Sequence, residues 1–310
     1  MMDYCVFIHS NPKQIVGAIV GQYALRRNSR NADKFDVKII TTANHPFFAE
    51  YEGRMYLRDG VKQAWLNDDL QSFTPLRFIP PELMGYGGRA LIIDPDVFAV
   101  GDVWELLSRD MQGKAIVARA GARGLLEYCV ASSVMLLDCA KLAHWHCEAQ
   151  FRSMFELELD YVDWICLKNE NRATIGRLEN AWNDFDHLTA QTKMLHTTRR
   201  KTQPWKSGLP VDWRLAERFR PFPPIGWLMR ARRKLFGEYA FLGNYKEHPD
   251  ANQRNLFFGL LRECIERKLV TEDMLRQEMQ RNHVRHDAFE VLDRTPPLAP
   301  PGLSPLIAPR

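Results

Sequence analysis

Short apolar runs alternate with segments of helical periodicity through the first two hundred residues. Tyr4 to His9 reads as a first strand, and Ser10-Asn11-Pro12 as the loop after it. Gln14 to Arg27 sets Ile15, Ala18, Ile19, Gln22 and Tyr23 at helical spacing, with Arg26 and Arg27 suited to a helix C-terminus. Phe35 to Thr41 is the second strand. A strand-helix-strand opening predicts a parallel sheet with a right-handed crossover. Ala90-Leu91-Ile92-Ile93, preceded by Gly87-Gly88, reads as a buried parallel strand. Ala115 to Ala118 and Val134 to Leu137 follow as strands, with Lys141 to Met154 as a helix. Leu178 to Asn183 and Met194 to His196 are expected to complete the sheet.

Prolines 75, 80 and 81 break Thr74 to Leu83 into short helical pieces, and Asp102 is an expected N-cap for the helix that follows it. Beyond residue 206 the pattern changes. Arg254 to Lys268 and Thr271 to Arg281 read as amphipathic helices, the second capped at Thr271. The last sixteen residues hold six prolines, too little burial to order a tail. The expected division is 1–206 as an α/β domain, 207–294 as a basic and aromatic segment with a helical extension, and 295–310 as the tail. The fold class is therefore α/β, a mostly parallel central sheet flanked by helices.

Candidate chemistry begins at Asp94-Pro95-Asp96, at the C-terminal end of the Ala90–Ile93 strand. Open α/β sheets bind ligands at that end. Two carboxylates arriving together repel each other unless a cation lies between them, and a hard divalent ion such as Mg²⁺ or Mn²⁺ suits their oxygens. His196 ends a later apolar step and opens a basic stretch, Arg199, Arg200 and Lys201, closed by Pro204-Trp205. Imidazole is an acceptable third ligand for Mn²⁺, and neighbouring cations suit a phosphate.

At these residues the chain resembles the retaining glycosyltransferases of family 8, of GT-A fold and of the glycogenin and bacterial lipopolysaccharide galactosyltransferase type. In that family an Asp-x-Asp pair and a distal His bind the metal, and the His opens a His-x-x-Gly-x-x-Lys-Pro-Trp motif. The resemblance covers residues 3 to 206. It extends to Arg77 and Arg89 upstream of the acidic pair, to Ala131-Ser132-Ser133 for Asn-Ser-Gly, to Asp160-Tyr161-Val162-Asp163 for Asp-Gln-Asp, and to Trp182-Asn183 for an aromatic-Asn step. It implies a metal-dependent transfer of a hexose from a nucleotide-diphosphate sugar, most simply UDP-hexose, to a glycan or lipid-linked acceptor. Asp94, Asp96 and His196 are the implied metal ligands for Mn²⁺ or Mg²⁺. Ser10, Asn11, Thr41, Arg77, Arg89, Ser132, Ser133, Gln203 and Lys206 are the implied donor-binding set, and Asp163 or Asp160 the implied catalytic carboxylate.

Several positions depart from the family pattern. Arg199 replaces the Gly of the His motif, Gln203 its Lys, Ala131 an Asn and Val162 an amide. The missing Lys charge falls to Arg199, Arg200, Lys201 or Lys206. A second reading, a non-catalytic nucleotide-sugar-binding protein with a degenerate sugar site, stays open beside the enzyme. A haloacid-dehalogenase type of phosphohydrolase is disfavoured, since Val97 follows the second Asp where that chemistry has Thr.

Composition sharpens only part of this picture. The 310 residues carry a net charge of +4, too small to argue for nucleic acid. The opening strand lacks Gly-x-Gly-x-x-Gly, which disfavours a dinucleotide-binding domain. Six cysteines without a Cys-x-x-Cys pair imply small hydrophobes in a reducing, cytoplasmic setting. His144 and His146 point apart on a helix, so no structural metal is expected there. Residues 214–234 interleave Arg214, Arg218, Arg220, Arg230, Arg232, Arg233 and Lys234 with Phe219, Phe222, Trp227 and Leu228. That composition suits peripheral contact with an anionic membrane face, in two short pieces because Pro221, Pro223 and Pro224 interrupt a helix.

Overall fold

The computed structural model describes residues 3–121, 129–214 and 223–301. Its strands are β1 (Tyr4–Ser10), β2 (Asp36–Thr41), β3 (Met55–Arg58), β4 (Val61–Ala64), β5 (Arg89–Ile93) and β6 (Val97–Ala99). They continue with β7 (Ile116–Ala120), β8 (Val130–Asp138), β9 (Ile175–Arg177), β10 (Asp184–Phe185) and β11 (Met194–His196). The central sheet has six strands in the order β2-β1-β5-β8-β7-β9. Strand β1 runs parallel to β2 and β5, and β7 parallel to β9, while β8 is antiparallel to both neighbours. The continuous apolar runs of β1 and β5 occupy the middle, buried on both faces, whereas edge strand β2 alternates exposed and buried positions.

The first helix, α1 (Ile15–Arg27), makes the expected crossover. Single-turn helices α2 (Phe47–Glu50), α3 (Pro80–Leu83) and α4 (Trp104–Leu107) punctuate the next eighty residues. Then come α5 (Cys147–Phe155) and α6 (Tyr161–Ile165). Helix α5 starts later than periodicity suggested, because Cys139–Lys141 forms a separate 3-10 turn. Met194–His196 also departs from expectation. It joins a second sheet, β10-β11-β6, because the Asp94-Pro95 turn carries the chain off the central sheet before β6 pairs with β11. Of the segment expected as the neighbouring strand, Asn180–Asn183 is a 3-10 turn, and Ile175–Arg177 just before it pairs instead.

The C-terminal helices are α7 (Pro223–Phe236), α8 (Ala251–Glu266), α9 (Glu272–Gln280) and α10 (Ala288–Arg294). Thr271 caps α9 as expected, its side chain accepting from the Met274 N–H. Within the described residues of 214–234, α7 is one continuous helix rather than two pieces. Pro223 and Pro224 sit in its first turn, where backbone N–H groups lack helical partners anyway. Residues 215–222 of the expected membrane segment lie outside the described residues. Of the expected tail, residues 302–310 lie outside the described residues, whereas in 295–301 Leu298 packs against Gly259 and Arg27 donates to the Ala299 carbonyl.

Two apolar clusters cover the faces of the central sheet, and a third joins α1 to the C-terminal helices. In the third, Val16 and Val20 of α1 share a core with Phe98, Trp205, Phe257, Phe258 and Leu260. Trp205 stacks on Phe257 at 4.6 Å between ring centroids. A disulfide links Cys129 and Cys166, a pairing across 37 residues that corrects the expectation of six reduced thiols. The other four cysteines are buried, and burial pushes the thiols of Cys5, Cys139 and Cys264 up to about 12. Among the described residues, no helix is long and apolar enough to cross a membrane.

Candidate metal centre and cavity

Strand β5 delivers Asp94 to the sheet's C-terminal edge, where its N–H donates to the Ser133 carbonyl at 3.0 Å. The turn closes through the Val97 N–H to the Asp94 carbonyl at 3.2 Å. Helix α1 crosses behind it at Gly17, where a Cβ atom would stand 2.7 Å from the Pro95 carbonyl oxygen. Strand β6 then pairs antiparallel with β11, setting His196 opposite Val97 and therefore beside Asp96. Asp94, Asp96 and His196 each offer a ligand atom, all within 4.8 Å of one another.

Every member of this group is held by a partner. Nδ1 of His196 bonds Asn183 Oδ1 at 2.8 Å, and Asn183 Nδ2 donates to Ser133 Oγ at 3.0 Å. That leaves Nε2 facing the carboxylates, 3.3 Å from Asp96 and 3.9 Å from Asp94. Gln203 Nε2 donates to Asp96 Oδ2 at 3.0 Å, and Gln14 donates in turn to Gln203 Oε1. Arg77 holds Asp94 through two nitrogens, Nε at 3.0 Å and Nη2 at 2.5 Å, while its Nη1 donates to Ser132 Oγ. His9 Nε2 lies 2.9 Å from Asp94 Oδ1. Burial works against a charge on Asp94, but the Arg77 guanidinium and His9 outweigh it and hold the carboxyl well below the usual range. Burial opposes a charge on His196 too, yet Asp96 and Asp94 raise its pKa above the ordinary value.

These groups open onto a cavity of about 280 Å³. Its lining includes Arg77, Asp94, Asp96, Ser132, Ser133 and His196, and also Arg58, Tyr161, Arg200 and the Cys129–Cys166 disulfide. Gln14, Gln203 and Phe185 also line it. Of the residues expected at the site, the fold brings together Asp94, Asp96, His196, Arg77, Ser132, Ser133 and Gln203. Gln203 reaches Asp96 directly. Ala131 lines the cavity, whereas Val162 packs against the core.

Other expected residues do not line it. Ser10 Oγ donates to the Asn11 carbonyl, and Asn11 Nδ2 ties down the Asp69–Ser72 loop. Thr41 ends β2, away from the lining. Arg89 opens β5 at the far end of the strand from Asp94, roughly 16 Å away at the rise of a strand. There it donates to the Leu107 and Arg109 carbonyls. Lys206 is fully buried and spends its charge on Asp212 at 2.8 Å. Asp163 pairs with Lys168 at 2.5 Å, outside the cavity. Asp160 caps α6 by accepting from the Val162 N–H, and also accepts from the N–H groups of Asp59 and Gly60. Burial opposes its charge, but those backbone donors hold its pKa below the ordinary value.

Asp160 therefore serves the site through the β3–β4 hairpin tip that carries Arg58. That hairpin had a readable signal. Asp59-Gly60 separates two short strands, and both residues have positive φ, 53° and 73°, as a two-residue hairpin loop requires.

No protein-family model and no curated protein matches the chain. Among solved structures, its backbone is similar to the glycosyltransferase GlyE of Streptococcus pneumoniae TIGR4, with 14% identity over 87% of this chain and a TM-score of 0.47. The match spans 64% of the GlyE chain. It is also similar to the galactosyltransferase LgtC in complex with donor and acceptor sugar analogs, with 12% identity over 65% of this chain and 89% of that one, at a TM-score of 0.43. A third similar structure is mouse xyloside xylosyltransferase 1, with 12% identity over 63% of this chain and 97% of that one, at a TM-score of 0.40.

Proposed function

We propose that the chain is a metal-dependent GT-A glycosyltransferase that moves a hexose from a nucleotide-diphosphate sugar, most simply UDP-hexose, to a glycan or lipid-linked acceptor. The observation that carries this reading is the convergence of Asp94, Asp96 and His196 on one cavity that also holds three arginines. Two carboxylates and one imidazole whose far nitrogen is already fixed by Asn183 fit a hard divalent ion, Mn²⁺ or Mg²⁺. Bound there, such an ion would supply Lewis-acid neutralisation of the departing diphosphate.

The protein's own groups do the positioning. Arg77 fixes Asp94, Gln203 fixes Asp96, and Asn183 fixes the ring of His196. Ser132 and Ser133 line the cavity with hydroxyls that accept from Arg77 and Asn183. Retention of configuration needs a carboxylate nucleophile or same-face attack. Among the described residues, Asp94 and Asp96 are the carboxylates of the lining, and both are committed to partners, which supports same-face attack. In that step the bond from the anomeric carbon to the phosphate oxygen breaks and the bond to the acceptor oxygen forms. The acceptor's hydroxyl proton passes to the leaving phosphate.

The reading is tested by calorimetry with UDP, GDP and CMP sugars, with and without Mn²⁺, followed by turnover with the binder. Metal-linked binding of one nucleotide sugar is expected, and no binding of any of them refutes it. Ala131 on the cavity wall favours one alternative, a nucleotide-sugar binder without turnover, which the same turnover assay separates.

The proposal extends to a membrane-borne acceptor. Leu228, Leu235, Phe236 and Phe241 are exposed on and after α7, beside the basic Arg232, Arg233 and Lys234. Co-sedimentation with anionic but not neutral vesicles, weakening as salt rises, is the expected outcome.

A further inference from the structure

The cavity lining also holds two guanidinium groups that the candidate metal centre does not use. Arg58 comes from the end of β3 and Arg200 from the loop after β11, four residues beyond His196. Neither forms an ion pair among the described residues. Each lies instead over an aromatic face: Arg58 over Tyr161 at 5.0 Å and Arg200 over Trp213 at 5.2 Å. Arg58 Nε is buried with no hydrogen-bond partner. Arg200 is exposed as a residue, but its guanidinium end lines the cavity, where desolvation first and then the charge of Arg58 hold its pKa below the ordinary value. Two like charges therefore face one space; Asp69 lies near enough to favour both, and Asp96 to favour that of Arg200, but neither carboxylate pairs with them.

Charge balance says what belongs there. Asp94 and Arg77 neutralise each other. A divalent cation beside Asp96 leaves one net positive charge. A sugar diphosphate brings two negative charges, and a third appears when its bond to the sugar breaks. Arg58 and Arg200 supply the two positive charges that bring the separated diphosphate to neutrality. The neighbouring basic residues are placed otherwise: Lys201 donates to the Leu242 carbonyl, Lys206 pairs with Asp212, and Arg199 is absent from the lining.

We infer that Arg58 and Arg200 form an anion subsite that holds the diphosphate of the donor, in the cavity that the metal ligands also line. The inference rests on the nucleotide-sugar reading above. Asp160 supports it from behind, since its carboxylate clamps the hairpin tip next to Arg58.

Calorimetry on the full chain with UDP and with inorganic pyrophosphate, each with Mn²⁺ and with a chelator, tests this. Pyrophosphate is expected to bind even with the chelator. The R58Q/R200Q variant is expected to weaken both ligands by about tenfold or more, while its Mn²⁺ affinity stays unchanged. R58K/R200K should recover part of the loss. Equal melting temperatures establish that the variants fold, and if the double variant melts early, R200Q alone is read the same way.

Wild-type UDP affinity in the folded R58Q/R200Q variant overturns the subsite and leaves the glycosyltransferase reading standing. Arginine-dependent pyrophosphate binding without any preference for UDP has the opposite meaning: the arginines form an anion site, and the nucleotide reading fails. Pyrophosphate that binds additively to UDP-saturated protein overturns the donor assignment in favour of an acceptor phosphate.

Discussion

Two groups of charged side chains line the cavity, termed its metal wall and its second wall, and they are built by opposite rules. On the metal wall every charged side chain already has a protein partner: Asp94 has Arg77 and His9, Asp96 has Gln203, and His196 has Asn183. Those groups sit on strand ends and a tight turn, backed by Gly17 of α1. In the other group, Arg58 and Arg200 come from a hairpin and a loop and rest on aromatic faces, with no ion pair among the described residues. A satisfied network is rigid before any ligand arrives, and its members are costly to remove singly. Charge held only by aromatic faces and more distant acids contributes less to the free protein and stays available to a ligand.

Variants on the two walls should therefore fail differently. The largest effect is expected from Asp96→Asn, which keeps shape but removes one charge of the metal pair. Transfer should fall on the order of 10³-fold, and near-normal turnover would break the assignment of this wall to metal. Next comes Arg77→Ala. It strands a buried carboxylate, so folding stability should drop by roughly 3–5 kcal/mol, read by urea or thermal melts. A loss below the scatter of such melts would mean Asp94 is satisfied without Arg77.

Asn183→Ala should spare the fold more and lower Mn²⁺ affinity by about 10–100-fold, because His196 loses the bond that orients its ring. Unchanged affinity in that variant would make Asn183 a bystander. The smallest effect sharpens the contrast most. Arg200→Gln should cost no more than about 1 kcal/mol of stability, the worth of its contact with the Trp213 ring. A drop comparable to that of Arg77→Ala would show that the second wall is structural after all.

This contrast also governs what could be read from the chain. The metal wall is legible because its residues follow recognisable elements: an apolar strand ending in Asp-Pro-Asp, and an apolar step ending in His196. Arg77 and Gln203 were named for the donor, while the structure has both gripping the acidic pair, a detail of side-chain reach that spacing does not encode. Arg89 looked equivalent to Arg77 along the chain, but strand direction puts it at the wrong end of β5. Arg58 carries no sequence signal of its own, although Asp59-Gly60 marks its hairpin, because four-residue strands carry little periodicity. The Cys129–Cys166 bridge had no local signal either, since its closeness arises only when β8 and α6 meet.

Helix α1 leans on a segment that the ribosome delivers much later. Tyr23 bonds Glu263 across 240 residues, and Val16 and Val20 are covered by α8. At about 5–20 residues per second, that face stays open to solvent for roughly ten to fifty seconds of synthesis. The same helix backs the Asp94-Pro95-Asp96 turn through Gly17. The nascent chain thus carries its acidic pair long before the support behind it is in place, and the turn gains its full backing only once α8 has left the ribosome.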